Sequence, residues 1–489
     1  MPRYHIWTVG CQMNEADSAK LAAGLHRLGW DEAPRPEEAD LVVLNTCVVR
    51  QKAEQRAVSK LGMLRRLKEQ RNGSLRIAVM GCLVGLRPHD LQQRFPFVDA
   101  FARPQAFADV LAAVEPESGL GGEFWPQTFP QNPGPTAYVP VIHGCNKFCT
   151  FCIVPYRRGR ERSRPIADVR HEVQVLVERG VKEVTLLGQT VEAYGHDLPE
   201  RPNLADLFRA VHDIQGLERI RFLTSYPKDM TDDIIRAVAE LPKVCECFNI
   251  PVQSGDDGVL ARMRRGYTLS EYRQVVEKIR RWLPAAAITT DVIVGFCGET
   301  EAEFRRTYDL LADLRFDKVH VAAYSPRPGT IAWRTLADDV PQQVKMERLH
   351  AVEALQEGIA AQINARLQGS VQEVLFENVG AVREPPPPKR NVGQGLQTPT
   401  KTHDDTADHR GNASADPRPR LRGRTRTDKI VHLSGQEPAL SGAKGRPGDI
   451  VAVRIEKTSA WSLQGQQVAN AAPHPEGRVM GNTNDAAAL

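Results

Sequence analysis

Nine cysteines stand in this chain of 489 residues, and six of them fall into two sets of three. The first set is compact: Gly144-Cys145-Asn146-Lys147-Phe148-Cys149-Thr150-Phe151-Cys152 spaces three thiols as C-x3-C-x2-C. Three thiolates hold three irons of a [4Fe–4S] cube and leave the fourth iron open to a substrate or cofactor; a purely electron-carrying cluster normally takes four protein ligands. Zinc is the competing occupant, but structural zinc sites prefer paired C-x2-C halves and four ligands. The one nearby fourth candidate is His143, whose side chain should alternate to the other face of its strand.

The second set is dispersed. Cys11, Cys47 and Cys82 each close a strand-like run: Thr8-Val9-Gly10-Cys11, Leu44-Asn45-Thr46-Cys47 and Val79-Met80-Gly81-Cys82. A single cysteine is more often a small buried hydrophobe. Three of them in equivalent positions, at the carboxyl ends of parallel strands where open sheets bind ligands, read instead as a second iron–sulfur site. Cys245 and Cys247 lack a third partner and enter a buried strand, so they read as structural.

The elements that must position these thiols follow from periodicity. His5–Val9, Leu41–Leu44 and Ile77–Met80 read as strands, separated by helical stretches Glu15–Leu28 and Gln51–Lys68. This alternation predicts an α/β domain with a parallel sheet over 1–116. Residues 117–137, rich in Gly and Pro, read as a linker. Over 138–367 six further strands are expected: Tyr138–Ile142, Glu183–Leu187, Arg219–Leu223, Cys247–Val252, Ile288–Val294 and Lys318–Tyr324. Helical patterns lie at Ile166–Arg179, Leu204–Ile214, Thr231–Glu240, Leu269–Trp282 and Glu301–Leu314, and a long amphipathic helix follows at Gln342–Leu367. Six β/α units without a seventh and eighth predict an open partial TIM barrel, with its chemistry at the carboxyl ends of the strands. Over 368–466, Val371–Phe376, Leu421–Thr427, Ile430–Leu433 and Asp449–Ile455 predict a small all-β barrel. It is interrupted by 384–420, a segment too poor in apolar residues to offset its ordering entropy and so expected to be disordered; 467–489 reads as a disordered tail.

Hydrophobic residues at 41% and charged residues at 25% are ordinary for a globular chain, and the formal net charge is only +4. Such a charge permits an RNA partner through local clustering without requiring one. No apolar run approaches the ~18 residues that would span a bilayer, and the first residues carry no secretion-signal pattern. The expectation is a cytoplasmic protein with reduced cysteines and no membrane partner.

The C-x3-C-x2-C segment resembles that of the radical S-adenosylmethionine superfamily, and the chain as a whole resembles a methylthiotransferase. The resemblance is carried by Gly10-Cys11-Gln12-Met13-Asn14, Asn45-Thr46-Cys47, Gly144–Cys152 with Ile153-Val154-Pro155-Tyr156, Leu186-Leu187-Gly188-Gln189, Pro251-Val252-Gln253-Ser254-Gly255 and Tyr324-Ser325-Pro326-Arg327-Pro328-Gly329-Thr330. It covers about residues 1–370 and 421–465. Cys145-Asn146 and Arg158-Gly159-Arg160-Glu161-Arg162-Ser163-Arg164 are most similar to the branch that acts on dimethylallyl-adenosine in tRNA. Sister branches modify threonylcarbamoyl-adenosine or a ribosomal-protein aspartate and resemble the chain less at these places. Cys297 stands where the family usually has proline.

The resemblance implies a radical-SAM partial barrel, a C-terminal TRAM-like barrel, two [4Fe–4S] clusters and S-adenosyl-L-methionine as cofactor. Cys145, Cys149 and Cys152 would hold the cluster that cleaves S-adenosylmethionine, and the resulting radical would take hydrogen from adenine carbon 2. The cluster on Cys11, Cys47 and Cys82 would carry the sulfur. The implied partners are tRNA, through its anticodon stem-loop, and an electron donor such as flavodoxin or ferredoxin. Gly188, Gln189, Gln253 and Asp291, at or near strand ends, are candidates to meet the cofactor, with turn and packing roles as the alternative. Arg157, Arg158, Arg160, Arg162 and Arg164 border the expected active mouth and are candidate phosphate contacts, although a charge run is more often a solvated face. Arg422, Arg424 and Arg426 alternate along a strand and so share a face, a basic stripe suited to an RNA backbone. From a different class, a non-catalytic iron–sulfur RNA-binding or redox-sensing protein is disfavoured by the open coordination of the first motif.

Overall fold

The computed structural model describes residues 1–48, 51–85, 89–114, 129–380, 420–433 and 446–468. Much of the expected linker, nearly all of the expected insert 384–420 and the tail from 469 lie outside them.

The N-terminal sheet has five parallel strands, β1 (Arg3–Thr8), β2 (Asp31–Glu32), β3 (Leu41–Thr46), β4 (Arg76–Gly81) and β5 (Ala100–Ala102), in the order β2-β1-β3-β4-β5. β3 is buried at every position, as a strand covered by helices on both faces should be; its Leu-Val-Val-Leu run therefore shows no alternation. Helices Gln12–Arg27 and Gln51–Gln70 supply that cover. β2 and β5, two and three residues long, were not expected from the sequence, because so short a run carries no period.

The expected barrel strands are all present: β6 (Thr136–Pro140), then, beyond the hairpin of β7 (Ile142–His143) with β8 (Arg162–Ser163), β9 (Glu183–Leu187), β10 (Arg219–Leu223), β11 (Cys247–Asn249), β12 (Ala287–Val294) and β13 (Lys318–Ala323). They form two parallel three-stranded sheets, β10-β9-β6 and β11-β12-β13, joined by the parallel bridge Ile220–Val244. The first expected strand is split. Pro140 has no N–H for the ladder, so β6 stops there and Ile142–His143 pairs instead with Arg162–Ser163 across the cysteine motif. Apolar side chains from these strands and the surrounding helices make one continuous core.

Helix Gln342–Ala365 packs against β13, but its inner face is not purely apolar. Lys345 and Arg348 are buried on it, paired with Asp338 and with Glu299. Beyond it a closed barrel is built from β14 (Val371–Gly380), β15 (Arg420–Thr425), β16 (Ile430–Leu433), β17 (Ile450–Thr458) and β18 (Leu463–Gln467), in the order β14-β15-β16-β18-β17. β14 and β15 pair antiparallel although nearly forty residues separate them, as the slow growth of loop-closure entropy with length permits. The fifth strand, Leu-Gln-Gly-Gln-Gln, has one apolar residue and was not expected.

This small barrel is seated on the amino-terminal ends of the central strands, opposite the cysteine motif. Arg219 and Arg221 at the start of β10 donate to the carbonyl oxygens of Glu373, Arg424, Thr425 and Arg426.

Candidate iron–sulfur and radical site

Register alone gathers the dispersed trio. Thr8 pairs with Asn45 and Thr46 with Gly81, so Cys11, Cys47 and Cys82 leave the same edge of three adjacent strands. Hydrogen bonds lock that edge. Asn14 Nδ2 donates to the carbonyls of Val9 and Thr46, and Asn45 Nδ2 to the Asn14 carbonyl and the Ser18 hydroxyl. Thr46 Oγ1 donates to the Met80 carbonyl and accepts from Leu83 N. Gly10, at φ +146°, is obligatory: a Cβ there would lie 2.7 Å from that of Cys47. Cys11 is the residue at the start of helix Gln12–Arg27, while Cys47 and Cys82 are buried.

The compact trio is held as tightly. Gly144, at φ +70°, brings the chain so close to the Arg160 carbonyl that a Cβ would stand 2.0 Å from its oxygen. Cys145 N donates to the Gly159 carbonyl. The Glu161 carboxylate accepts from Asn146 N at 2.9 Å and Asn146 Nδ2 at 3.1 Å. Thr150 ties the loop to the carbonyls of Arg262 and Met263. Burial pushes the Cys145 thiol up to about 11 and the Cys152 thiol up to about 12, the latter raised further by Cys149 and Cys145 beside it. Three thiols packed within mutual electrostatic reach, with cations set against them, fit a cluster whose negative thiolates need such neighbours. His143 is turned away into the domain interface, where it meets Gln105 Nε2 at 3.0 Å. Burial first, then Arg158, Lys20, Arg164 and Arg162, hold its pKa far below the usual range. Among the described residues no three His, Cys, Asp or Glu side chains are drawn together tightly enough to chelate a single ion.

The two sites are linked by one helix. Val154–Arg158 leaves the compact motif and lays Arg158, its side chain 2% exposed, across to the other domain. There Arg158 donates to Asn14 Oδ1 at 2.8 Å and to Asp17 Oδ2 at 3.3 Å, and faces Cys82. Burial raises the Cys82 thiol, and Arg158 opposes that rise.

The arginine expectations need correction. Arg158 and Arg164 are not surface groups: Arg164 is buried, with its guanidinium 2.6 Å from Glu172 and donating to the Pro140 carbonyl. Arg157 lies over Gly85 of the N-terminal domain. Arg160 and Arg162 are exposed, Arg160 with its guanidinium over the Phe148 ring. Along β15 and the residue that follows it the alternation is as expected, with Arg422, Arg424 and Arg426 outside the barrel. That outside is, however, already occupied at two of the three positions. Arg424 pairs with Glu377 and Asp428, and Arg426 with Glu246 and the Val244 carbonyl.

Gly188 directly follows β9, and a Cβ there would strike Ile142 Cγ2 at 2.6 Å, so packing requires a glycine at this strand end. Gln189 is half-buried beside it. Gln253 takes a left-handed φ of +69° and bonds through its backbone to Asp291 and Ile293, and the Asp291 carboxylate accepts from Asn249 Nδ2. Two residues that the sequence reading passed over also reach the cysteines. Arg327, in the Pro326–Pro328 loop after β13, comes beside Cys47 and Glu54. Arg265 donates to Cys149 Sγ at 3.3 Å. Arg327 lies inside a quoted motif and could have been found; Arg265 sits in an undistinguished basic run.

Residues 139–311 match the Radical SAM superfamily model, and residues 3–102 match the model described as Uncharacterized protein family UPF0004. The chain is 45% identical over 468 residues to the tRNA-2-methylthio-N(6)-dimethylallyladenosine synthase of Dehalococcoides mccartyi (strain CBDB1), covering 96% of this chain and 99% of that one. Proteins of the same name from Roseiflexus sp. (strain RS-1) and Chloroflexus aurantiacus are 44% and 43% identical, each over 95% of this chain and over 89% and 91% of their own. Among solved structures, a radical S-adenosylmethionine methyltransferase from Kitasatospora setae superposes with a TM-score of 0.49 at 13% identity, over 76% of this chain and 81% of that one.

Proposed function

The chain belongs to the tRNA-2-methylthio-N(6)-dimethylallyladenosine synthase family, and from that premise we propose how its residues divide the work. It is a radical S-adenosylmethionine enzyme that methylthiolates dimethylallyl-adenosine in tRNA, with two [4Fe–4S] clusters and S-adenosyl-L-methionine as cofactors. The threonylcarbamoyl-adenosine and ribosomal-aspartate readings are set aside, because the near full-length relatives carry the dimethylallyl name.

Cys145, Cys149 and Cys152 hold the cluster with the open iron, and Cys11, Cys47 and Cys82 hold the second. When bound, these groups supply reductive cleavage of S-adenosylmethionine and the sulfur that is transferred. The chain's own part is placement. Glu161 fixes the motif loop through Asn146. Gly188, Gln189, Gln253 and Asp291 line the strand-end region where the cofactor's methionine end would lie. Arg160 and Arg162, exposed at the rim, and Arg422, whose guanidinium enters no ion pair among the described residues, are the arginines we assign to the phosphates of the anticodon stem-loop. A small electron-transfer protein such as flavodoxin or ferredoxin supplies the electrons, and the chain works in the cytoplasm. No described helix is long and apolar enough to cross a membrane.

One observation carries this reading: Arg158, one helix away from the compact trio, is buried against Cys82 of the dispersed trio and against Asn14 and Asp17 on the helix that follows Cys11. Two cluster sites on facing domains are thereby held as one unit. The test is anaerobic reconstitution. Wild type should bind about eight irons, from two cubes of four. Changing Cys11, Cys47 and Cys82 to Ala should leave about four irons and intact S-adenosylmethionine cleavage, with no methylthio product by nucleoside mass spectrometry. The corresponding change of Cys145, Cys149 and Cys152 should abolish cleavage; 5′-deoxyadenosine formed by that variant would refute the assignment.

A further inference from the structure

Arg265 differs from the other buried arginines in what surrounds it. Its guanidinium is aimed by three donations: NH1 to Cys149 Sγ at 3.3 Å, NH2 to the Pro251 carbonyl at 3.1 Å and Nε to Tyr267 Oη at 3.0 Å. Tyr267 Oη, accepting from Nε, donates onward to the carbonyls of Pro251 and Val252, so neither group can turn. The faces of Tyr226 and Tyr267 lie 4.7 and 5.3 Å from the guanidinium carbon, an arrangement that holds a desolvated cation without cancelling its charge. No Asp or Glu ion-pairs with Arg265 among the described residues. Arg158, facing Cys82 in the other trio, is the contrast: Asp17, itself 2% exposed, stands 3.3 Å away and neutralises it. One cluster site therefore faces a compensated cation and the other a bare one.

We propose that Arg265 is a positioning residue of the radical cluster that sets its reduction potential, through a charge-assisted hydrogen bond to the sulfur of Cys149. The proposal rests on the reading of Cys145, Cys149 and Cys152 as cluster ligands. Reduction places one further electron, from the external donor, on a cube whose thiolates are already negative. No bond at the arginine breaks and no proton moves, because the guanidinium stays charged. A buried cation in hydrogen-bond contact with a ligand sulfur lowers the cost of that electron, since hydrogen bonds to sulfur and net charge are what tune such clusters. Asp17 removes the same advantage from Arg158, so the two sites differ by design of their surroundings and not of their ligands.

The test measures potential, which a merely structural arginine would leave alone. In the full chain carrying Cys11→Ala, Cys47→Ala and Cys82→Ala, one cluster remains, and its electron paramagnetic resonance is followed through a redox titration. Arg265→Met should keep the iron content and shift the midpoint negative. At a fixed solution potential the reduced-to-oxidised ratio should drop at least tenfold, about 59 mV for one electron. Arg265→Lys keeps a cation but not the fork, and its midpoint should fall between the two. A loaded Met variant with an unmoved midpoint overturns the arginine's role alone. If the Met variant fails to load, the Lys variant decides, and a midpoint equal to that of the parent overturns the proposal. A cysteine-variant parent that binds no iron would overturn the ligand assignment, and the proposal with it.

Discussion

Glu172 is the hinge of the contact between the N-terminal domain and the central barrel, and its removal has a calculable cost. Its Oε2 accepts from Lys20 Nζ at 3.0 Å and from Arg164 at 2.6 Å, with all three side chains at most 4% exposed. Burial raises the Glu172 carboxyl, but Lys20 and Arg164 overcome it and hold the pKa below the usual value. Glu172→Ala would leave two cations facing each other away from water. Breaking a buried pair costs about 3–5 kcal/mol. The lower end applies here, because Arg164 keeps its bond to the Pro140 carbonyl and Lys20 keeps the field of Asp17. A loss of about 3 kcal/mol corresponds to roughly a hundredfold in an opening equilibrium. Amide hydrogen exchange by mass spectrometry should therefore show helices Gln12–Arg27 and Ile166–Glu178 exchanging about a hundredfold faster. Replacing the whole triad by Met, Leu and Met should restore most of the protection, since a packed apolar set avoids the desolvation cost. Protection in Glu172→Ala within about threefold of wild type would refute the reasoning, as would a triple variant no better than the single one.

Burial pushes the Glu192 carboxyl up to about 8, only partly offset by bonds from Ser225 and Tyr226 N. Its folded pKa thus exceeds the unfolded one, so its contribution to stability is whole below about pH 4.5 and is lost as the pH rises toward 8, on the order of a few kcal/mol. Melting temperatures from pH 5 to 9 should fall less steeply for Glu192→Gln than for wild type; parallel curves would contradict the burial. For RNA binding, Arg160→Ala with Arg162→Ala should flatten the salt dependence of tRNA affinity by roughly one logarithmic unit of slope per lost contact. Arg426→Ala should leave that slope unchanged and lower the melting temperature through loss of Glu246, a contrast that salt titration and calorimetry on the two variants can check.

The placement of the six cysteines was legible because it is written in local signals. A fixed spacing defined one trio, and the repeated position after an apolar run defined the other; parallel register did the rest. The six barrel strands were legible because each carries β-branched and other apolar residues, in a run or in alternation, between helical stretches. β2, β5 and β18 were not, since two or three residues, or a run of glutamines, carry no periodicity. The arginines show a deeper limit. Alternation correctly put Arg422, Arg424 and Arg426 on the outside of their barrel, but period says nothing of what meets that outside. Arg424 and Arg426 meet carboxylates, two of them, Glu377 and Asp428, on the small barrel itself and a third, Glu246, on the central domain. Likewise the run from Arg157 to Arg164 looks like one patch in sequence. A tight turn and a hairpin send Arg158 and Arg164 inward and Arg160 and Arg162 outward.

The use of arginine at these interfaces follows from what the small barrel presents to the central domain. β14 and β15 present backbone carbonyls at the junction, at Glu373, Arg424 and Thr425, with Arg426 just beyond, and buried acceptors must be matched by donors. Apolar side chains from the central domain would leave those oxygens unsatisfied. Arg219 and Arg221 satisfy them, and also reach Glu183 and Glu373 through the rest of the fork. A planar fork that must meet a carbonyl and a carboxylate at once accepts only one orientation of its partner. Such a junction therefore fixes direction as well as contact. That is what the small barrel needs if it is to hold RNA in a set relation to a radical site on the far side of the same strands, because an error of an ångström in placement there is costly to rate.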